Sequence, residues 1–365
     1  MKKLLSLLSF SILSISLGAQ CPAAGTTFSS QAQIDAFPAS FPSCTVIPDG
    51  VDIKIMGSDI DDLTPFMQLT AVQGPFEIRN CPLLENLNGL NNITYAGNDA
   101  LDGFILRDLP LLNDLTALSN LDSVTGEFTI RTCDIITNLN GLDGFTKAKG
   151  SVIIRDNILL QSLDGLSGLN YIGETLELVG NIQLSNISAL SNVNTIIGGV
   201  EGGVFIMDNT ILSDLTGLGN NTTTIGSNLD LVNNGSLTIC SVPSICNYLN
   251  NPPAGAIITI NTNLTGCNSE IEILANCDFS LIDENSHTSP KYTVYPNPAN
   301  DYLIIQSITN SEFSVELYSV NNSPVMHFAK STQYLLDISS LPSGIHLIKC
   351  TDQYGSFKLI KFIRP

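Results

Sequence analysis

The sequence predicts an all-β protein: a parallel β-helix, or solenoid, of about nine coils of roughly 24 residues, followed by a small C-terminal β-sandwich. Three observations support this fold class. Similar stretches recur along the chain, as in FEIRNCPLLENLNGL from Phe76 and FTIRTCDIITNLNGL from Phe128. The turns between them are rich in Asn, Gly and Asp, which disfavours helices. The last segment instead alternates apolar and polar residues between Pro-rich turns.

Two columns of the repeat keep a constant spacing. The first apolar residue of each predicted strand falls at Phe76, Phe104, Phe128, Val152, Leu176 and Val204. The small residue of an L-x-G/A-L turn follows 13 residues later in all six units, at Gly89, Ala117, Gly141, Gly165, Ala189 and Gly217. The gap to the next strand is 11 or 15 residues. We therefore expect the extra residues to bulge at one corner and leave the stack undisturbed.

Each unit is predicted to form a strand, a turn, a short strand or bend, and a second turn. Phe76 and Ile78 alternate with Glu77 and Arg79, which is the period of a strand. The turn residue after the strand is Asn80, Asp108, Thr132, Asp156, Gly180 or Asp208. Weaker units flank the set at residues 53–55, 229–231 and 258–260. Coils stacked at ~4.8 Å would form a rod on the order of 40 Å long.

Residues 47–277 resemble the receptor L-domain family, through units of the form L-x-I-x-x-N-x-x-L-x-x-L-x-G-L. Members of that family are right-handed β-helical relatives of leucine-rich repeats in insulin-receptor-type ectodomains. Similar units occur in many secreted Bacteroidetes proteins. The resemblance implies a right-handed solenoid. The sequence departs from the pattern at Gly180, which stands at an Asn position, and in four-residue expansions after Gly89 and Ala189.

The N-terminus is predicted to be a secretory signal peptide, residues 1–19. Lys2 and Lys3 precede an apolar run over residues 4–17 that is too short to span a bilayer, and small residues follow it. Cleavage near Ala19 would begin the mature chain at Gln20 or Cys21. A lipid-anchored Cys21 is the alternative, but Gln20 stands where a lipoprotein signal requires a small residue. No later segment is predicted to be a transmembrane helix.

The C-terminal residues 291–365 resemble the sorting domain of the type IX secretion system of Bacteroidetes. The opening YTVYPNPANDYLIIQ contains Pro296, Asn297, Pro298 and Ala299, and the closing hairpin follows a turn that ends at Gly344. The resemblance implies a small β-sandwich that guides the protein across the outer membrane through the type IX machinery. It also implies a sortase that removes the domain and couples the chain to surface lipopolysaccharide. The alternative is a generic β-sandwich module.

These motifs divide the chain into five predicted parts, and the part outside the signal peptide and the tail is strongly acidic. We predict a signal peptide at 1–19, a disulfide-stapled cap at 20–50, a solenoid with a Cys-rich C-terminal cap at 51–280, a linker at 281–290 and the sorting domain at 291–365. Residues 20–284 contain 29 acidic and 7 basic residues, a net charge of −22. Such a surface repels nucleic acid and anionic membranes, so neither is predicted as a partner.

The chain has nine cysteines, and an exported protein is expected to form disulfides. Cys21 and Cys44 flank the first segment, and we predict a bridge between them. Two further bridges are predicted among Cys240, Cys246, Cys267 and Cys277, with three connectivities open. Cys81 and Cys133 share one column two coils apart, which places them ~10 Å from each other and predicts two reduced, buried thiols.

The residue types favour a binding protein over an enzyme, and no cofactor is predicted. All three histidines, His287, His327 and His346, lie in the linker or tail, which removes histidine-based catalysis and metal sites from the solenoid. Asp59, Asp61 and Asp62 form either a solvated turn or a weak calcium site. We expect a surface binding or adhesion protein whose ligand is a protein or a glycan. The alternatives are a structural spacer and, less favoured, a polysaccharide-active enzyme.

An arginine column gives the one candidate ligand site. Arg79, Arg107, Arg131 and Arg155 occupy the same position in successive units and point away from the core by alternation. In one interpretation acids such as Glu77, Asp108, Asp134 and Asp156 neutralise them, and the column is structural. In the other, the column binds an anionic ligand such as an acidic polysaccharide. The column ends at Val179.

Overall fold

The computed structural model describes residues 21–98, 102–199, 201–220, 223–277, 292–318, 324–354 and 357–365. The predicted signal peptide and linker lie outside the described residues. We call residues 21–277 the repeat region. Its strands are β1 (Thr26–Phe28), β2 (Val46–Ile47), β3 (Ile53–Ile55), β4 (Ala71–Val72), β5 (Phe76–Arg79), β6 (Tyr95–Ala96), β7 (Asp102–Arg107), β8 (Ser123–Val124), β9 (Glu127–Arg131), β10 (Lys147–Ala148), β11 (Val152–Arg155), β12 (Tyr171–Ile172), β13 (Leu176–Val179), β14 (Thr195–Ile196), β15 (Gly203–Met207), β16 (Thr224–Ile225), β17 (Asn228–Val232) and β18 (Ile258–Asn261).

Two parallel sheets build the repeat region. The odd-numbered strands β1 to β17, together with β18, form a ten-stranded sheet, and the even-numbered strands β2 to β16 form an eight-stranded sheet. Within each sheet the neighbours follow one another along the chain, so each repeat before β17 adds one strand to each sheet, and the last two repeats add only β17 and β18, both to the ten-stranded sheet. This arrangement is compatible with the predicted β-helix.

The register of the ten-stranded sheet follows the predicted strand column. Each first apolar residue pairs with the next along the chain, from Phe76 through Phe104, Phe128, Val152, Leu176 and Val204 to Leu229. The weaker units form β3, β17 and β18. The sequence did not indicate β1, which lies in the predicted N-terminal cap and pairs with β3.

The turn after each long strand requires a left-handed residue. Asn80, Asp108, Thr132, Asp156 and Asp208 have φ between 51° and 58°. Gly180 adopts φ 70° at the same position, so the departure from the pattern keeps the same turn. Glycine, Asn and Asp are the residues that enter this region most readily, which explains the composition of the column.

The small residue of the L-x-G/A-L turn is required by contact with the preceding coil. At Gly165, φ is +108°, and a Cβ would lie 1.9 Å from the carbonyl oxygen of Leu139. Other units place a short 3₁₀ helix here, and those helices span Thr64–Phe66, Thr116–Leu118, Ser188–Asn192 and Thr216–Leu218. Both the glycine turn and the 3₁₀ helix bring consecutive coils close together. The leucines of these turns are therefore buried, and almost all of them are inaccessible to solvent.

A ladder of asparagines lies inside the C-terminal half of the repeat region. Its members are Asn157, Asn181, Asn209, Asn234 and Asn263. At one representative rung, Asn181 Oδ1 accepts the backbone N–H of Asn157 at 3.1 Å, and Asn181 Nδ2 donates to the carbonyl of Ile154 at 2.8 Å. Each rung thus satisfies backbone groups that a turn would leave unpaired inside. The N-terminal half has Cys81, Leu109 and Cys133 in this column instead.

Disulfides join residues at both ends of the repeat region. Cys21 and Cys44 are bonded beside the helices α1 (Gln31–Asp35) and α2 (Phe37–Ser40). Cys240 is bonded to Cys267 and Cys246 to Cys277, around the helices α3 (Pro243–Asn250) and α4 (Glu270–Asn276). The sequence left three connectivities open among these four C-terminal cysteines, and this is the one that the structure has. Cys81 and Cys133 are free and buried.

The tail folds separately into antiparallel sheets that fit a β-sandwich. Its strands are β19 (Tyr292–Tyr295), β20 (Tyr302–Ser307), β21 (Phe313–Tyr318), β22 (Pro324–Ser331), β23 (Gln333–Asp337), β24 (Gly344–Asp352) and β25 (Phe357–Arg364). The order is β19-β20-β23 in one sheet and β22-β21-β24-β25 in the other. Alternating buried residues such as Leu303, Ile305, Val315 and Leu317 form its core.

Candidate functional site: the outward face of the ten-stranded sheet

The four predicted arginines lie side by side on the outward face of the ten-stranded sheet. Arg79 pairs in register with Arg107, Arg107 with Arg131, and Arg131 with Arg155. The residue before each arginine is fully buried, as at Ile78 and Ile154, which fixes the outward direction. The next residue in this column is Val179. The structure therefore brings the sequence-predicted column together as one strip.

Carboxylates separate the arginines into two ion clusters. In the first, Glu77 lies 3.3 Å from Arg79 and 3.4 Å from Arg107, and Asp108 lies 3.4 Å from Arg107.

In the second cluster, Asp156 is shared and Glu177 closes the end. Asp156 lies 3.5 Å from Arg131 and 3.4 Å from Arg155, and Glu177 accepts a 2.8 Å hydrogen bond from Arg155 Nη1. Four arginines therefore face four carboxylates across the two clusters, and a shared acid bridges neighbouring cations that would otherwise repel. This geometry favours the structural interpretation of the column.

The C-terminal half of the same face is chemically different. Val179, Met207 and Val232 continue the arginine column, and Phe205 and Asp230 continue the column of Glu77 and Glu177. One carboxylate oxygen of Asp230, Oδ1, is buried and has no hydrogen-bond partner among the residues that the structure describes. The end of the arginine column is visible in the sequence, but residue spacing does not single out Asp230 as the acid beyond it.

Asp59, Asp61 and Asp62 form a turn that is organised by Gln31. The backbone N–H of Gln31 donates to Asp59 at 3.3 Å, and Gln31 Oε1 accepts the backbone N–H groups of Asp61 and Asp62, both at 3.1 Å. Asp62 also accepts the backbone N–H of Thr64 at 2.8 Å. Within the described ranges no three His, Cys, Asp or Glu side chains group as metal ligands. Asp59, Asp61 and Asp62 thus form hydrogen bonds within the turn and with Gln31.

A groove that sequence analysis missed lies at the corner beside the ion clusters. It has a volume of about 420 Å³ and is lined by Ser58, Asn80, Pro82, Asp108, Pro110, Thr132 and Asp134. Exposed apolar residues at one position of the repeat adjoin this corner in sequence, among them Leu83, Leu111 and Leu159. A signal for them was present, because each lies seven residues after the first apolar residue of its repeat.

The free thiols of the repeat region do not have the setting of nucleophiles. Burial raises the pKa of Cys133 to about 12, and burial also raises the pKa of Cys81. A thiol that stays protonated at neutral pH is a poor nucleophile and a poor metal ligand.

The predicted sorting motif is fastened to the last strand of the tail. Asn297 accepts the backbone N–H of Ile363 at 2.9 Å and donates to the carbonyl of Lys361 at 3.1 Å. The backbone N–H of Ala299 donates to Ile363 at 2.9 Å. Pro296 and Pro298 flank Asn297 with cis peptide bonds, and Gly344 begins β24 with φ 140°. The PNPA turn thus connects the opening of the tail with its C-terminal strand.

Residues 293–363 match the secretion system C-terminal sorting domain. This type IX sorting domain marks the protein for export beyond the cytoplasm. No curated protein matches the chain. Within the described part of the chain, no helix is both long and apolar enough to cross a membrane.

The sorting domain packs against the C-terminal end of the repeat region. Tyr318, Leu347 and Phe357 join the hydrophobic cluster of the repeats. A cavity of about 330 Å³ lies between the two parts, with Glu270 and Lys349 in its lining. Burial raises the pKa of Glu270, and the charge of Lys349 partly offsets this. The sorting domain therefore lies beside β18, with this cavity between them.

Proposed function

We propose that this protein is an exported, non-enzymatic binding or adhesion module that is displayed at the outer-membrane surface or released outside the cell. The sorting domain at residues 293–363 is the observation that supports this proposal most directly. The second support is the outward face of the ten-stranded sheet. Its arginine side chains remain 27–45% exposed, although parallel sheets usually have both faces covered.

We infer further that the repeat region is a right-handed solenoid of the receptor L-domain type. The regular addition of one strand to each of two parallel sheets supports this inference. So do the asparagine ladder and the disulfide at either end, since a solenoid exposes apolar terminal coils and requires caps.

The partners of the sorting domain in this proposal are the type IX machinery and a sortase that removes the domain. Deletion of residues 291–365 is expected to leave the protein in the periplasm. Surface display of the truncated chain, measured by protease accessibility on intact cells, would reject this role.

A structural spacer is the second candidate, because the two ion clusters balance the arginines within the face itself. A polysaccharide-active enzyme is less favoured, since such enzymes use carboxylate pairs and the outward-facing Glu77, Asp156 and Glu177 are engaged by arginines. The repeat region also contains no histidine, and burial raises the pKa of its free thiols.

The mature protein, purified from cells with its disulfides intact, distinguishes these functions. We expect it to retain a specific protein or glycan in a pull-down from surface extract or on a glycan array, without turnover of polysaccharide substrates. Capture of nothing above a heat-denatured control would favour the spacer, and turnover would favour the enzyme.

A further inference from the structure

Asp230 is the acid of the outward face that the arginine column does not reach. It lies on β17 between Phe205 of β15 and Thr259 of β18, in direct register with both. Its Oδ1 atom is inaccessible and has no hydrogen-bond partner within the described residues. A buried, unpaired carboxylate oxygen costs free energy and therefore calls for an explanation.

The paired acids of the same column show what Asp230 lacks. Glu77 contacts Arg79 on its own strand and Arg107 on the next, and Glu177 contacts Arg155 on the preceding strand. The corresponding positions around Asp230 are Met207, Val232 and Asn261. Asp230 is thus an acid whose neighbours are neutral at the three positions that correspond to arginines in the ion clusters.

We propose that the C-terminal half of this face binds a polypeptide that inserts a basic side chain, Arg or Lys, between apolar neighbours. We name the surface the aspartate patch and define it by its four partly exposed residues, Phe205, Met207, Asp230 and Val232. The incoming cation pairs with Asp230, which is partly exposed although its Oδ1 atom is not, and the apolar side chains beside the cation cover Phe205, Met207 and Val232. This inference rests on the proposed binding function and specifies the class of partner.

Charge complementarity selects this occupant. The net charge of −22 over residues 20–284 attracts a cationic segment and repels a second copy of the chain or an acidic glycan. A single carboxylate among apolar side chains does not supply the several oxygen ligands that calcium or magnesium requires. The patch lies on two adjacent strands, ~5 Å apart, which suits a short segment.

The test uses the mature protein and an array of 12-residue peptides, each with one Arg or Lys flanked by leucine, valine or phenylalanine. Every peptide has a twin in which citrulline or acetyl-lysine replaces the cation. Asp230→Asn and Phe205→Ala remove the two recognition elements. Asp164→Asn is the matched control, because it removes the same charge from an exposed turn.

We expect a subset of cationic peptides to bind, to lose at least tenfold in affinity as the neutral twin, and to lose as much with Asp230→Asn or Phe205→Ala. Asp164→Asn is expected to bind within twofold of the parent. The thermal midpoint of Asp230→Asn without peptide is expected to rise, since the unpaired charge is gone. That rise would separate loss of the site from loss of folding.

Three outcomes would overturn the proposal. One is equal loss with Asp230→Asn and Asp164→Asn, which would indicate general attraction to an acidic surface. Another is self-association of the mature protein that Asp230→Asn abolishes, which would make a second copy the occupant. The third is capture of a surface partner with full affinity by Asp230→Asn, which would leave the binding function standing while removing this site from it.

Discussion

At the residue scale, the arginines of the outward face are held by carboxylates from neighbouring strands as well as from their own. Arg155 pairs with Glu177 of the following coil at 2.8 Å, a partner that residue spacing does not favour over Asp134. Partner choice depends on rotamers and on the turn geometry between coils, neither of which is visible in residue spacing. The exposed acid–base pairs each contribute about 0–1 kcal/mol, so their number rather than any one pair stabilises the face.

The arginine column is expected to be structural. Changing Arg79, Arg107, Arg131 and Arg155 to Gln should lower the free energy of unfolding by about 1–3 kcal/mol, because four clustered carboxylates lose their counter-charges. Binding to acidic glycans on an array is expected to be unchanged. Lys54→Gln, which removes a single 3.9 Å ion pair with Asp52, serves as control. Selective loss of an acidic glycan in the quadruple variant would restore the column as a ligand site.

Because of Cys133, the free energy of unfolding is expected to decrease at alkaline pH. Its pKa rises from an ordinary value of 9.0 to about 12 in the folded protein because of burial. Above pH 9 the unfolded chain releases the thiol proton while the native chain keeps it, so stability falls as the pH rises towards 12. Below pH 9 the thiol is protonated in both states, so this loss of stability is absent. We expect no labelling of Cys133 by iodoacetamide at pH 8 in the native state, and full labelling in urea. Rapid native labelling would contradict its burial.

At the element scale, the strand column and the turn column could be predicted because both repeat in nearly every unit. The asparagine ladder could not be recognised, since the first half of its column contains Cys81, Leu109 and Cys133. A column that is conserved in only some of the repeats is difficult to distinguish from chance in the sequence. In the structure it is continuous, because the backbone N–H of Cys133 donates to Asn157 at 3.0 Å and so joins the two halves.

Asn157 is expected to be among the costliest polar residues to remove. Asn157→Ala leaves the N–H of Cys133 and the carbonyl of Ile130 without their side-chain partner in a fully buried site. Each unpaired group costs about 1–3 kcal/mol, so we expect a loss of roughly 2–5 kcal/mol in urea unfolding. Asn192→Ala removes one exposed hydrogen bond to Ser167 and should cost under about 1 kcal/mol. Similar costs for the two variants would mean that the ladder relaxes around the gap.

At the scale of the whole molecule, the sequence did not predict how the ends of the repeat region are built. Its first strand, β1, lies inside the segment assigned to the cap. The sequence did not predict this strand, because three residues between a turn and a helix are too few to show a period of two. At the other end the last rung of the ladder, Asn263, donates to the carbonyl of Cys267, which is bonded to Cys240. The polar ladder and the disulfides therefore meet in one cap.

Reduction of the disulfides is expected to loosen the repeat region from its ends. The bridges close segments of 23, 27 and 31 residues. Loops of this size contribute about 3–4 kcal/mol each by restricting the unfolded chain. Each coil contacts only its neighbours, so a released end can separate while the centre stays stacked. Hydrogen exchange under reducing conditions should therefore rise first near Cys44 and Cys246, with β9 and β11 still protected. Simultaneous loss of protection along all ten strands would show that the region unfolds as one cooperative unit rather than from its caps.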